Sequence, residues 1–348
     1  MNTNQINYLN IMLMVLSAGL AFMYPFELFL MVYAVLGPLH YVTEISWLHN
    51  KGYYTKGKYD YLFLLAFGVV IAVFYYELIP NAPKGTVAFF TYLALVAALF
   101  FAITKRIITR FVGISLAAVV GLLLANSDSF HIGFGIFLPT LIHVYVFTGL
   151  FILAGAIRGK SLSGFLSLLV FVGIAGVFVL FHPAHATYHV SDYVRQNYGY
   201  LKDNGRPTSP FVGVNFYSSK FFHLFNFSQS DAKTINMIGL VNDFLYKNPS
   251  ALALMSFISF AYTYHYFNWF SKTSIIRWHE ISRNRFIALL LIWGASLALY
   301  ASSYSLGLAW LFFLSFVHEL FEFPLNHLTI INISKDFRKM FSSAPRAV

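Results

Sequence analysis

Four histidines stand inside strongly apolar stretches: His40 in LGPLHYVTEISWL, His143 in PTLIHVYVFTG, His265 in FAYTYHYFNWFSK and His318 in LSFVHELFEFP. An ionisable side chain at membrane depth is costly and normally faces a bundle interior or a cavity. Four of them in one chain point to a shared site, a metal site first, if the topology lets them meet. Two of them have a carboxylate four residues on, Glu44 after His40 and Glu322 after His318. On a helix that spacing puts both side chains on one stripe, so each carboxylate can hold an imidazole N–H or ligate in its own right. Glu319, next to His318, is expected to point elsewhere. His265 is flanked by Tyr262, Tyr264 and Tyr266, and Tyr264 joins Glu44 and Glu322 as a candidate catalytic group. With imidazole and carboxylate available and 0 Cys in the chain, the donor set suits iron, manganese or zinc, and excludes thiolate chemistry and iron–sulfur clusters.

The elements that must carry these residues are membrane helices. The chain has 348 residues, 58% hydrophobic against 10% charged, where a soluble domain carries about 25% charged residues. About 20 apolar residues cross a bilayer. Ten stretches qualify: 7–23, 26–48, 61–79, 86–104, 107–125, 133–156, 162–181, 251–270, 286–303 and 305–325. Lys51, Lys56, Lys58, Lys105, Arg106, Arg110, Arg158, Lys160, Lys272, Arg277, Arg283, Arg285 and the tail cations then share one face, with Lys84 the exception. That asymmetry predicts both termini in the cytoplasm. The 39 Phe and 23 Tyr fit lipid-facing and interfacial positions and could also wall a pocket for a long apolar ligand. The net charge of +10 reads as topology. No nucleic-acid partner is expected, because no basic patch alternates with exposed aromatics in a soluble domain. The start MNTNQINYLN lacks a positive n-region, so the first apolar run is expected to be retained.

The predicted organisation is a single membrane domain. It comprises seven helices in 1–181, an extracytoplasmic interfacial segment at 182–250 with short helices such as DAKTINMIGLVNDFLYK, three more helices in 251–334, and a basic cytoplasmic tail at 335–348. His40, His143, His265 and His318 fall on the second, sixth, eighth and tenth spans, all running in the same direction. Gly133, Pro139 and Gly149 can kink the sixth span and adjust the depth of His143. A second group, His182, His185 and His189 in HPAHATYH, offers either an outer metal site or a solvated interfacial loop. His49, His279 and His327 read as interface anchors, as do Glu27 and Glu77.

The four histidine contexts, GPLHYVTE, LIHVYVF, YTYHYFNWF and FVHELFE, resemble in order the motifs of the Brp/Blh family of membrane β-carotene dioxygenases. The departures are Leu39 between Pro38 and His40, Glu44 where the family has Asp, and Trp269 where a paired histidine is expected. The resemblance implies an Fe(II)-dependent oxygenase that cleaves a lipid-soluble polyene with molecular oxygen. The residues alone point less far. They fit a membrane-embedded metal oxygenase, a proton-coupled transporter with a histidine and glutamate relay, or an accessory membrane protein whose histidines only bond helices together. The expected location is a bacterial inner membrane, with membrane lipid as the surroundings.

Overall fold

The computed structural model describes residues 2–183, 188–199, 209–224 and 237–342. The described residues are helical and contain no strand. A helix occupies each of the ten apolar stretches: α1 (Thr3–Met23), α2 (Pro25–Asn50), α3 (Asp60–Tyr75), α4 (Thr86–Ile103), α5 (Ile107–Leu124), α6 (Asp128–Gly159) and α7 (Leu162–Phe181). After the short helices α8 (Asp192–Tyr198), α9 (Pro210–Phe221) and α10 (Met237–Lys247) come α11 (Pro249–Ser271), the single turn α12 (Thr273–Ile276), α13 (Arg283–Ser302) and α14 (Tyr304–Ser342).

Eight of these are long and apolar enough to cross a membrane: α1, α2, α4, α5, α6, α7, α13 and α14. α3, with 16 residues, is shorter. α11 has the length, 23 residues, but carries Ser256, Ser259, Thr263, His265 and Asn268 where an ordinary span carries aliphatics. Those polar residues are buried in the bundle, and they lower the mean hydropathy of the most central helix. α5 and α13 are the opposite case. Only 11% of the apolar window of each is covered by protein, and they present Leu, Ile, Val and Phe outward, as a lipid-facing helix must.

α2, α11 and α14 form the middle of the bundle. α1 and α7 pack on one side of α11, and α3, α4 and α13 pack around α14. Two departures from the expected boundaries matter. α14 runs to Ser342 without a break at the expected tail, so residues 335–342 continue the helix; residues 343–348 lie outside the described residues. α6 begins at Asp128 and widens over Gly133–Phe147 into i→i+5 π-helical turns that include Pro139. In a π stretch N–H groups pair with carbonyls five residues back, so Pro139 breaks no i→i−4 bond, and the wider turn shifts the phase of the side chains that follow.

Helices α8, α9 and α10 lie within the segment predicted to form an interfacial cap and rest on α2 and α11. Phe211 meets Phe29 at 4.6 Å between ring centroids and Tyr198 meets Phe26 at 4.8 Å. Tyr188 donates to Glu27 at 2.9 Å, which ties this segment to the first turn of α2. The exceptional cation Lys84 is neutralised locally by Asp128, 2.9 Å away. Near the Lys105 end, Arg110 makes a two-pronged ion pair with Asp60, 2.8 and 2.9 Å, bracing α5 against the start of α3.

Candidate metal centre

The four predicted histidines converge. His40 comes from α2, His143 from the π stretch of α6, His265 from α11 and His318 from α14, and none is more than 8% exposed. Their rings close a cycle, with centroids 4.7 Å apart for His40 and His265, 5.2 Å for His265 and His143, 4.8 Å for His143 and His318, and 5.3 Å for His318 and His40. The Nε2 atoms face inward. His40 and His265 stand 3.0 Å apart at Nε2, as do His143 and His318.

The outer ring nitrogens of two of the rings are held, and one of these contacts sets a tautomer. His318 Nδ1 faces the carbonyl of Ser315, which can only accept, so a neutral His318 keeps its proton on Nδ1 and turns a bare Nε2 lone pair into the centre. His265 Nδ1 is held by Thr148 Oγ1 at 2.8 Å. Hydrogen bonds of this kind fix the orientation of a ligating imidazole. Tyr41 stacks on His318, centroids 4.3 Å apart at 27°, and its hydroxyl meets that of Tyr266 at 2.8 Å.

The carboxylates divide differently from the i, i+4 expectation. Glu44 behaves as expected, its Oε2 3.1 Å from His40 Nε2. Glu322 instead crosses to the neighbouring helix, its Oε2 3.2 Å from His143 Nδ1. His318 Nδ1 is already engaged by the Ser315 carbonyl on its own helix, while His143 Nδ1 and Glu322 Oε2 lie in ion-pair range with no hydrogen bond to either atom. Glu319 is buried, and its Oε1 has no hydrogen-bond partner. Tyr264 is not brought to the site: its hydroxyl donates to Asn10 of α1 at 3.0 Å. Trp269, standing where a second histidine was expected, packs on the His40 ring at 5.5 Å and donates to Thr43.

Two buried groups have their donor atoms within 4.8 Å of one another and could hold a metal ion, His40 with His265 and His318, and His143 with His318 and Glu322. They share His318. The donor set fits. Nitrogens bound at about 2.1 Å to one ion stand about 3.0–3.4 Å apart as neighbours, and the Nε2 pairs fall at that lower bound. The identity of the metal does not follow from imidazole and carboxylate donors alone.

Of the outer histidines, His182 and His189 belong to neither group. His185 lies outside the described residues; His189 is exposed and His182 caps α7 in a left-handed conformation. Among the described residues, the two groups at the bundle centre are the ones with metal-holding geometry. His327 bonds the Leu95 carbonyl at 2.8 Å, and His49 meets Tyr53 at 3.4 Å; both link elements outside the cluster.

A cavity of about 340 Å³ reaches the cluster. It is lined by four helical stripes, each starting at a buried site residue. α2 supplies His40, Glu44 and Trp47, and α11 supplies His265, Asn268, Trp269 and Lys272. α6 supplies Thr148, Phe151, Gly155 and Arg158, and α14 supplies Glu322, Leu325 and Thr329. These are spacings of three, four and seven, the pattern of one helix face. The cavity thus runs from the histidines to exposed residues such as Arg158 and Ile275.

The chain matches no protein-family profile, no curated protein and no solved structure.

Proposed function

We propose that this chain is a membrane-embedded, non-haem metal oxygenase acting on a lipid-soluble substrate, with iron as its metal. The observation that carries the reading is the closed cycle of four buried imidazoles with Glu44 and Glu322 beside it. A structural role would be met by one or two interhelical hydrogen bonds. Here four rings from four helices turn their Nε2 atoms to one buried point; the two facing pairs, each 3.0 Å apart, can share a proton as N–H···N bonds or, deprotonated at Nε2, ligate one cation, and their convergence from four helices supports the second.

His40, His143, His265 and His318 would hold the metal. Glu44 and Glu322 would offset its charge, and Thr148 and the Ser315 carbonyl would keep two of the rings aimed inward. Bound there, the metal would supply the redox chemistry. The chain's own part is to keep water out, to lead an apolar molecule along the Trp47, Phe151, Trp269 and Leu325 walls, and to stop it beside His40 and His265. The resemblance to the Brp/Blh family supports oxidative cleavage of a polyene of the carotenoid type. The reading includes ten spans with both termini cytoplasmic, as the distribution of Lys and Arg indicates.

The test is elemental analysis of the detergent-purified chain together with His143→Ala. Close to one or two iron atoms per chain, lost in the variant while helix content holds, is the expected result. A metal-free chain of normal stability would overturn the assignment. In that case pH-driven solute uptake into liposomes would place the histidines and Glu44 in a proton relay instead.

A further inference from the structure

The cavity ends in charge. Lys272 caps the C-terminus of α11, and Arg158 lies in the last turn of α6. Both line the same cavity as His40 and His265. Arg158 is engaged by Asp336 at 3.3 Å. Lys272 has no such partner: among the described residues no carboxylate or other acceptor pairs with its ammonium, which is only partly exposed. Burial lowers its pKa to about 8, as expected of an ammonium lacking a counter-ion. A cation held this way at the end of a funnel of tryptophan, phenylalanine, leucine and isoleucine is left unpaired by an all-hydrocarbon ligand and is paired by an apolar chain or polyene that carries an acid end.

We infer that the cavity binds a single-chain amphiphile with a carboxylate head, the head resting on Lys272 and the apolar body reaching the histidine cluster. The inference rests on the oxygenase reading for the ligand's role as substrate, while its binding needs no metal. Size favours one chain: 340 Å³ holds on the order of ten methylene-sized groups at about 30 Å³ each, a stretch of one chain whose remainder passes out of the open cavity, and not two acyl chains side by side. Distance sets where on the chain the ligand would react. Lys272 follows His265 by seven residues on the same stripe, a rise of about 10 Å. The reacting carbons therefore lie in the body of the chain and not beside the head.

The test is fluorescence quenching in the full-length purified chain with Trp278, Trp293 and Trp310 changed to Phe, leaving the cavity residues Trp47 and Trp269 as reporters. A long-chain fatty acid brominated in mid-chain is titrated in, with its methyl ester and a brominated phosphatidylglycerol as separate arms. Saturable quenching by the acid at concentrations at least tenfold below the ester is expected. Lys272→Gln should shift it at least tenfold weaker, and Lys272→Arg should restore it. Equal quenching by acid and ester, no effect of Lys272→Gln, or quenching by the phospholipid as strong as by the acid would overturn the inference; the last would make the site one for bulk membrane lipid. Metal content measured on the same samples separates the two readings. Metal-replete protein without saturable quenching removes the carboxylate ligand alone, and metal-free protein with it removes the oxygenase alone.

Discussion

His318 is the residue on which the candidate centre turns. It belongs to both groups that could hold a metal, its Nδ1 is committed to the Ser315 carbonyl, and its outer face is covered by Tyr41. His318→Ala is therefore expected to abolish metal retention, not merely weaken it. Thr148 acts one step further out, through His265 alone. Thr148→Val keeps the shape and removes the hydroxyl, and outer hydrogen-bond partners of this kind cost about 10–100-fold in metal affinity when lost. Competition against a chelator of known affinity, with circular dichroism to confirm unchanged helix content, checks both. Equal loss in the two variants would mean that Thr148 is needed for the bundle and not for the ring. At this scale the sequence was informative wherever chemistry and depth coincide. Ionisable side chains stand out in apolar runs, so His40, His143, His265 and His318 were legible. The sequence does not distinguish Tyr264 from Tyr262 and Tyr266. Adjacent residues on a helix differ by about 100° in direction, and only the packing of α1 shows that Tyr264 faces Asn10 while Tyr266 faces Tyr41. The partner of Glu322 was hidden for a similar reason: an i, i+4 rule sees one helix, and the contact to His143 crosses between two.

At the scale of elements, polarity is spent where helices must be fixed against one another. The Arg110 and Asp60 pair is the clearest example outside the centre, with side chains 15% and 6% exposed and Asp60 also accepting from the Gly57 amide at 2.7 Å. Asp60→Asn removes the charge while leaving Arg110 in place. Breaking one partner of a buried pair typically costs about 3–5 kcal/mol, and the partial access of Arg110 to solvent puts the expected loss at the lower end of that range. Arg110→Lys should cost stability as well, because an ammonium cannot match the two-pronged geometry. Thermal unfolding in detergent measures both, and an unchanged midpoint for Asp60→Asn would show that α3 and α5 are held by lipid-facing packing alone. Ten helical stretches were readable from apolar length. The low hydropathy of α11 carried a further signal: buried Ser, Thr, His and Asn mark a helix surrounded by protein. The π turns of α6 were only hinted at by Gly133 and Pro139, since hydrogen-bond register depends on how the neighbouring helices accommodate His143.

For the whole molecule, orientation is the property that decides which compartment the cavity faces. The Lys272 and Arg158 end of the cavity lies on the face that the cation count assigns to the cytoplasm. Contacts gather the cation-bearing connectors there: Lys56 N–H donates to the Phe101 carbonyl at 2.8 Å, Arg285 reaches Asn50, and Asn7 near the start of α1 bonds Ser163 at 2.9 Å. Asn81 lies in the connector between α3 and α4, among the segments that carry no excess of Lys and Arg, and the nearby Lys84 is paired with Asp128. The absence of cysteine, 0 in 348 residues, makes the chain a clean background for site-directed labelling. Single substitutions Lys58→Cys, Lys160→Cys and Arg277→Cys should react with a membrane-impermeant maleimide only after the cells are opened. Asn81→Cys should react in intact cells. All four positions are outside the described helices or at their ends, so the substitutions leave the packing intact. Labelling of Lys160→Cys from outside would reverse the bundle and make the substrate enter from the extracytoplasmic leaflet. Labelling of Lys58→Cys and Arg277→Cys on opposite sides would break the alternation, and α3 or α11 would then be a helix that does not span.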